Sequence, residues 1–307
     1  MNTESNAMPE YPLGSRETTP AVTSAIVQLY WSVRRELWEN RAIYLAPLAA
    51  AALFLFGFLV NMIRVRRGIH GPWPLDLAQQ HDFLATRYGL SGALIMGTGF
   101  IVGFFYTLDA LYGERRDRSI LFWKSLPVSD LTTVISKVAI PLVILPLLTF
   151  ALTIVTQFLM LLLSSAILVG SGVNLATLWT EPSFLHVSLV LLYHILTVHG
   201  LWYAPFYGWL LLVSAWAPRA PFLWAALPPF VICGVEKIAF NTSHFLAVLQ
   251  YRATGEYASA PQTAPHDFMA DLIPHHFFST PGLWTGLALA AAFLFAAVRL
   301  RRYQGPI

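Results

Sequence analysis

Six stretches of this chain, 42–63, 88–108, 131–169, 184–217, 221–240 and 282–298, are apolar over lengths that suit a membrane far better than a water-facing globule. A helix crosses the roughly 30 Å hydrocarbon layer in about 20 residues, because each residue rises about 1.5 Å. Charged residues make up only 11% of the 307 positions and hydrophobic ones 56%, too little charge to cover the surface of a soluble protein. The pattern predicts an all-α integral membrane protein with six transmembrane helices.

The net charge of +3 is not a nucleic-acid footprint, because the arginines sit at the ends of the apolar runs, where topology accounts for them. The single cysteine, Cys233, lies inside a run and has no internal partner for a disulfide. The first 24 residues are polar, carry Pro9, Gly14 and Pro20, and read as a flexible cytoplasmic tail without the basic-then-apolar order of a cleaved signal. Residues 25–303 then form one transmembrane domain.

The third and fourth runs exceed one crossing. The third holds Pro141 and Pro146 but no polar turn, which favours one kinked helix over a hairpin. Six spans with a cytoplasmic N-terminus leave Arg16, Arg34, Arg35, Arg41, Arg115, Arg116, Arg118, Lys124, Lys137, Arg219, Arg299, Arg301 and Arg302 inside. Arg64, Arg66, Arg67, Arg87 and Arg252 fall outside, and the first three dissent from that orientation.

Ahead of the first span, residues 25–40 carry the helical period. Ile26, Leu29, Val33 and Leu37 share a side; Arg34, Arg35, Glu36 and Glu39 fall mostly elsewhere, and Trp31 and Trp38 suit the headgroup layer. This predicts an interfacial helix on the inner leaflet; the alternative is a cytoplasmic extension of the first span. In the long outer loop 241–281, residues 243–257 have helix-like spacing, and the remainder, with Pro261, Pro265 and Pro274, reads as loop.

Between the second and third runs lies a dense polar island, Leu108-Asp109-Ala110-Leu111-Tyr112-Gly113-Glu114-Arg115-Arg116-Asp117-Arg118-Ser119-Ile120-Leu121-Phe122-Trp123-Lys124-Ser125-Leu126-Pro127-Val128-Ser129-Asp130. Gly113 loosens the backbone, Pro127 stops any helix, and Ser129-Asp130 offers a new N-cap. The spacing predicts a short amphipathic helix pinned between two membrane helices, its arginines offering forked donors to carboxylates on a docking surface. The plain alternative is a loop whose arginines only fix topology.

That island, followed by Ser136-Lys137, resembles the first cytoplasmic loop of the type-2 family of ATP-binding-cassette (ABC) permeases. Val33-Arg34-Arg35-Glu36-Leu37-Trp38-Glu39-Asn40-Arg41 resembles the family's entry helix in bacterial members, and Arg299-Leu300-Arg301-Arg302-Tyr303 its C-terminus. The resemblance implies the permease subunit of a bacterial inner-membrane ABC exporter with both termini cytoplasmic. It implies two separate ATP-binding subunits and a second permease, identical or homologous. The island would be the coupling helix, with Glu114, Arg115, Arg116, Asp117, Arg118 and Lys124 in polar docking contacts and Phe122 and Trp123 as the apolar anchor. The chain has no Gly-x-x-x-x-Gly-Lys-Ser/Thr loop, so ATP and magnesium belong to the partner.

Within the membrane, Glu236 and Lys237 follow Pro228-Pro229. The family plan suggests a broken fifth helix with a glutamate near an outer gate, which casts Glu236 as a gate or substrate-contact residue; the alternative is a headgroup-level carboxylate. His199, Trp202, Phe206, Trp209, Val213 and Trp216 recur at three- and four-residue steps, an aromatic wall suited to an amphipathic substrate or to helix packing. Gly99 and Gly103 form a small-x-x-x-small pair that allows close helix approach. His275-His276, or His194 with His199, are poorly spaced for one metal ion, and no metal site is expected.

Transport of a hydrophobic or amphipathic molecule is therefore the leading reading. A membrane-embedded enzyme would need paired acids, a His-Glu-x-x-His site or an activated nucleophile, and none is visible. A non-transporting anchor or sensor subunit would use the same island.

Overall fold

The computed structural model describes residues 25–67, 77–126, 128–169, 184–254 and 277–307. The N-terminal tail, Pro127, Pro261, Pro265, Pro274 and His275-His276 lie outside the described residues.

The described chain is helical throughout. Helix α1 (Ala25–Glu39) leads through Asn40-Arg41 into α2 (Ala42–Arg66), and α3 (Leu77–Ala110) follows. The island forms α4 (Tyr112–Arg116) and α5 (Ile120–Ser125). Beyond it, α6 (Asp130–Ala139) continues through a wide π-turn, Ile140–Ile144, into α7 (Leu145–Leu168). Helix α8 (Phe184–His194) runs through a second π-turn, Ile195–Trp202, into α9 (Ala204–Trp216); then come α10 (Pro221–Phe240), α11 (His244–Thr254) and α12 (Pro281–Tyr303).

Among the described residues, five helices are long and apolar enough to cross a membrane, or six when the bent pair Leu191–Trp202 and Ala204–Trp216 counts as one span. The chain is thus a multi-pass membrane protein by the length and composition of its helices.

The prolines explain the irregular spans. Proline has no N–H and crowds the carbonyl four residues back, so the ladder widens around it. The third run is one 39-residue segment, Asp130–Leu168, and the Leu145 N–H reaches back five residues to Ile140 O. In the fourth run the Tyr203 N–H bonds Val198 O at 3.2 Å, and the axis bends by 43° just before Pro205. Ser129 caps α6 by accepting the Thr132 N–H at 3.0 Å.

Two apolar clusters mark the ends of the bundle. At one end Ile43, Leu111, Val134, Val138, Leu211 and Ala297 pack together, drawn from α2, α6, α9, α12 and the island's edge. At the other, Phe58, Met62, Tyr88, Met160 and Leu168 join α2, α3 and α7. Successive long segments therefore run in alternating directions, and α1, the island and the last turn of α12 share one end. Gly99 makes the close approach expected of it: a Cβ there would stand 2.5 Å from Thr149 Cγ2 on α7.

Candidate functional site

The island is two short helices rather than one. Arg118 adopts a left-handed backbone (φ 59°), a conformation that costs an L-residue about 1–2 kcal/mol, and it turns the chain between α4 and α5. The α5 helix ends at Leu126, which is extended (ψ 151°) as sterics demand of a residue before proline.

Beneath this turn lies a buried network of charge. Glu36 and Lys137 are 1% and 3% exposed and pair at 2.8 Å. Lys137 also lies 3.1 Å from Glu114 Oε1, and Arg301 Nη1 donates to Glu114 Oε2. Arg301 Nε stands 3.2 Å from Asp130, while Arg35 reaches Glu36 at 2.6 Å and Glu114 at 3.5 Å. Three cations thus face three carboxylates contributed by α1, α4, α6 and α12. The Tyr106 hydroxyl completes the shell by donating to Glu36 Oε2 at 2.9 Å.

Burial by itself would push the Glu36 carboxyl up; the Lys137 ammonium and the Arg35 guanidinium outweigh it and hold the group below its ordinary value of 4.5. Breaking such a pair by removing one partner leaves an uncompensated buried charge, at a cost of about 3–5 kcal/mol.

Further bonds fasten the island to its neighbours. Ser214 Oγ on α9 accepts the Leu111 and Tyr112 N–H groups, both at 2.9 Å. Arg115 Nη1 donates to Ala215 O at 2.6 Å and to Ala217 O at 3.2 Å. Lys124 Nζ donates to Gln304 O at 2.9 Å, past the end of α12, and the Arg35 guanidinium lies 3.8 Å over the Trp123 ring.

The predicted docking residues therefore divide. Glu114 and Arg115 are spent inside the fold, and Trp123 and Lys124 brace the island against α1 and α12. Arg116, Asp117 and Arg118 are exposed, as are Leu121 and Phe122, each 59% accessible. Arg116 pairs with Asp117 at 3.0 Å and with Asp109 at 3.5 Å; its hydrogen bond holds the Asp117 carboxyl below the usual range. Leu121 was not singled out in the sequence, although it stands beside Phe122 on the same open surface.

Glu236 caps a helix. Its Oε1 accepts the Thr242 hydroxyl at 2.8 Å and the His244 N–H at 2.6 Å, and its Oε2 accepts the Phe245 N–H at 2.9 Å. These bonds engage both carboxylate oxygens at the N-terminus of α11, where the helix dipole favours an anion. The sharp turn that permits this passes through Asn241, left-handed at φ 51°.

The π-turn and the bend at Tyr203 divide the expected aromatic stripe: His199 and Trp202 precede the bend, and Phe206, Trp209, Val213 and Trp216 follow it on α9. Trp202 packs on Phe277 and donates from Nε1 to Arg252 O at 2.8 Å. Trp209 donates to Ala225 O at 3.1 Å, Val213 is buried, and Trp216 meets Trp224 at 4.7 Å. Phe206 stacks near Tyr203 at 6.0 Å. The His199 ring lies between His194 and Tyr203, at 5.9 and 5.7 Å, and its buried Nδ1 has no hydrogen-bond partner.

Sequence reasoning missed Glu36 as a site residue by placing it off the apolar side of α1. It falls three residues after Val33 and seven after Leu29, on the packed face, and that spacing was the available signal. Comparison of the chain with family models, curated proteins and solved structures gives no match.

Proposed function

We propose that this chain is the membrane-spanning permease subunit of a bacterial ABC exporter. In this reading ATP hydrolysis on two separate subunits drives outward passage of a hydrophobic or amphipathic molecule through this chain and a second permease. The charged end of the bundle lies in the cytoplasm, and both chain ends are on that side. The observation that carries the reading is the exposed Arg116, Asp117, Arg118, Leu121 and Phe122 surface, set on a buried ion network that ties it to α1, α6 and α12.

The physical argument is mechanical. A docking surface transmits force only if its base does not yield. Here Glu114, Lys137 and Arg301 join the island to the third and last spans, so a push on Phe122 reaches both. The open arginines give forked donors for acidic side chains, and Leu121 with Phe122 gives an apolar contact. The residues of the island that remain for docking are narrower than the motif: Arg116, Asp117, Arg118, Leu121 and Phe122. Glu236 serves this design by fixing the α10–α11 turn rather than by touching cargo.

The test is copurification of the full chain from its native membranes, followed by ATP hydrolysis in the reconstituted complex. The double variant Arg116→Glu/Arg118→Glu is expected to lose at least about tenfold of the associated ATPase activity while staying folded. Undiminished activity in that variant would falsify the docking role.

A further inference from the structure

The outward side of α1 carries a feature that the coupling role does not use. Val33 and Leu37 turn inward onto the apolar cluster of α6 and α12, and Glu36 enters the ion network. What remains outside is Tyr30, Trp31 and Trp38, each more than half exposed, with Arg34 between the two tryptophans. The Arg34 guanidinium carbon lies 5.0 Å from the Trp31 ring centre and 4.7 Å from that of Trp38. Offsets of three and four residues place all three on one helix face.

Two indoles that flank a guanidinium leave its N–H edge as the open direction. Arg34 has no carboxylate partner among the described residues, whereas Arg35, one position on, contacts Glu36, Glu39 and Glu114. Arg41, between α1 and α2, is also exposed and has no carboxylate partner among the described residues. In α2, which begins at the next residue, Leu45 and Leu48 are half exposed. The exposed residues thus change from aromatic and basic in α1 to aliphatic where the membrane-length helix begins.

We infer that Trp31, Arg34, Trp38 and Arg41 form a binding site for the phosphate of an anionic phospholipid in the leaflet at the charged end of the bundle. The inference rests on the reading of α1 as a helix at the membrane surface. Tryptophan settles at headgroup depth, the forked donors of arginine match two phosphate oxygens, and the aliphatic residues that follow meet the acyl chains. A zwitterionic headgroup brings its own cation to a site that already holds two, so an anionic lipid is preferred.

The test uses the purified full chain in detergent and native mass spectrometry with added phosphatidylglycerol or phosphatidylcholine. Phosphatidylglycerol is expected to bind about tenfold more tightly, and Arg34→Gln is expected to erase that preference. Arg299→Gln is the matched control, an exposed arginine at the same end that leans on one ring, Phe295, at 5.1 Å; it is expected to leave the preference intact. Equal losses in the two variants, or displacement of the lipid by inorganic phosphate, overturn the site. A second arm replaces the exposed Ile26 with photoreactive benzoylphenylalanine in phosphatidylglycerol vesicles. Lipid crosslinks together with binding indifferent to Arg34→Gln overturn the site alone. Absence of crosslinks overturns the surface placement of α1 and the site with it.

Discussion

Glu114 and Glu236 are both glutamates flagged by sequence, and the fold treats them in opposite ways. Glu114 is buried at the charged end between Lys137 and Arg301, from two different spans. Glu236 is partly open at the far end of α10 and bonds only groups within nine residues of itself. The first carboxylate joins elements distant in sequence; the second shapes one turn. The surroundings differ accordingly. Helix α10 exposes Phe222, Leu223, Leu227, Phe230, Val231, Val235, Ile238 and Phe240, while the segments around Glu114 are packed on several sides. A buried charge therefore marks where this bundle is held together, and an accessible one where a local bend is set.

Glu114→Gln strikes the comparison hardest. It strips a counter-charge from Lys137 and Arg301 and is expected to cost about 3–5 kcal/mol, read as a large fall in the thermal midpoint in detergent. Combining it with Arg301→Gln should restore part of the loss, and a purely additive double variant would show that the two groups are not coupled.

Gly99→Val tests whether apolar contact matters as much as charge. The new side chain meets Thr149, whose short side chain has little room to move, and α3 must shift from α7. Destabilisation of about 1–3 kcal/mol is expected in the same melt, and a variant as stable as the parent would show that the interface gives way freely.

Acid sharpens the contrast without mutation. Glu36 titrates below 4.5 in the fold, so its stabilising contribution is complete above that pH and is lost as the pH falls through the lower folded value. Glu36→Gln should flatten this part of the stability profile. A parent profile that stays level from pH 5 down through that range would contradict the role assigned to the Lys137 and Arg35 pairs.

The smallest effect belongs to the cap. Glu236→Ala should leave the global melt close to that of the parent but speed hydrogen exchange at the His244 and Phe245 amides by about tenfold or less. Unchanged protection there would mean that the α10–α11 turn holds without its carboxylate.

Much of the fold was legible in the chain. The apolar runs, the single irregular helix through Pro141 and Pro146, the Ser129 cap and the helix after Asn241 all follow from local rules. The Gly99–Gly103 pair likewise pointed to a close approach. The island's inner and outer halves were not legible, because Glu114, Arg115, Arg116 and Asp117 look alike in a string. Only the positions of Ala215, Lys137 and Arg301 in space decide which are consumed. The division of the aromatic stripe at Tyr203 was not legible for a related reason: a ruler of 3.6 residues per turn does not carry across a π-turn and a proline bend.

The sequence by itself determined that this chain lives in a membrane and which stretches form its long apolar helices, because length, hydropathy and proline chemistry act within a few residues. Tertiary structure alone decided which charges lock the bundle and which stay exposed. Coulomb pairing depends on distances between segments as far apart as Glu36 and Lys137, and no local pattern encodes such a distance.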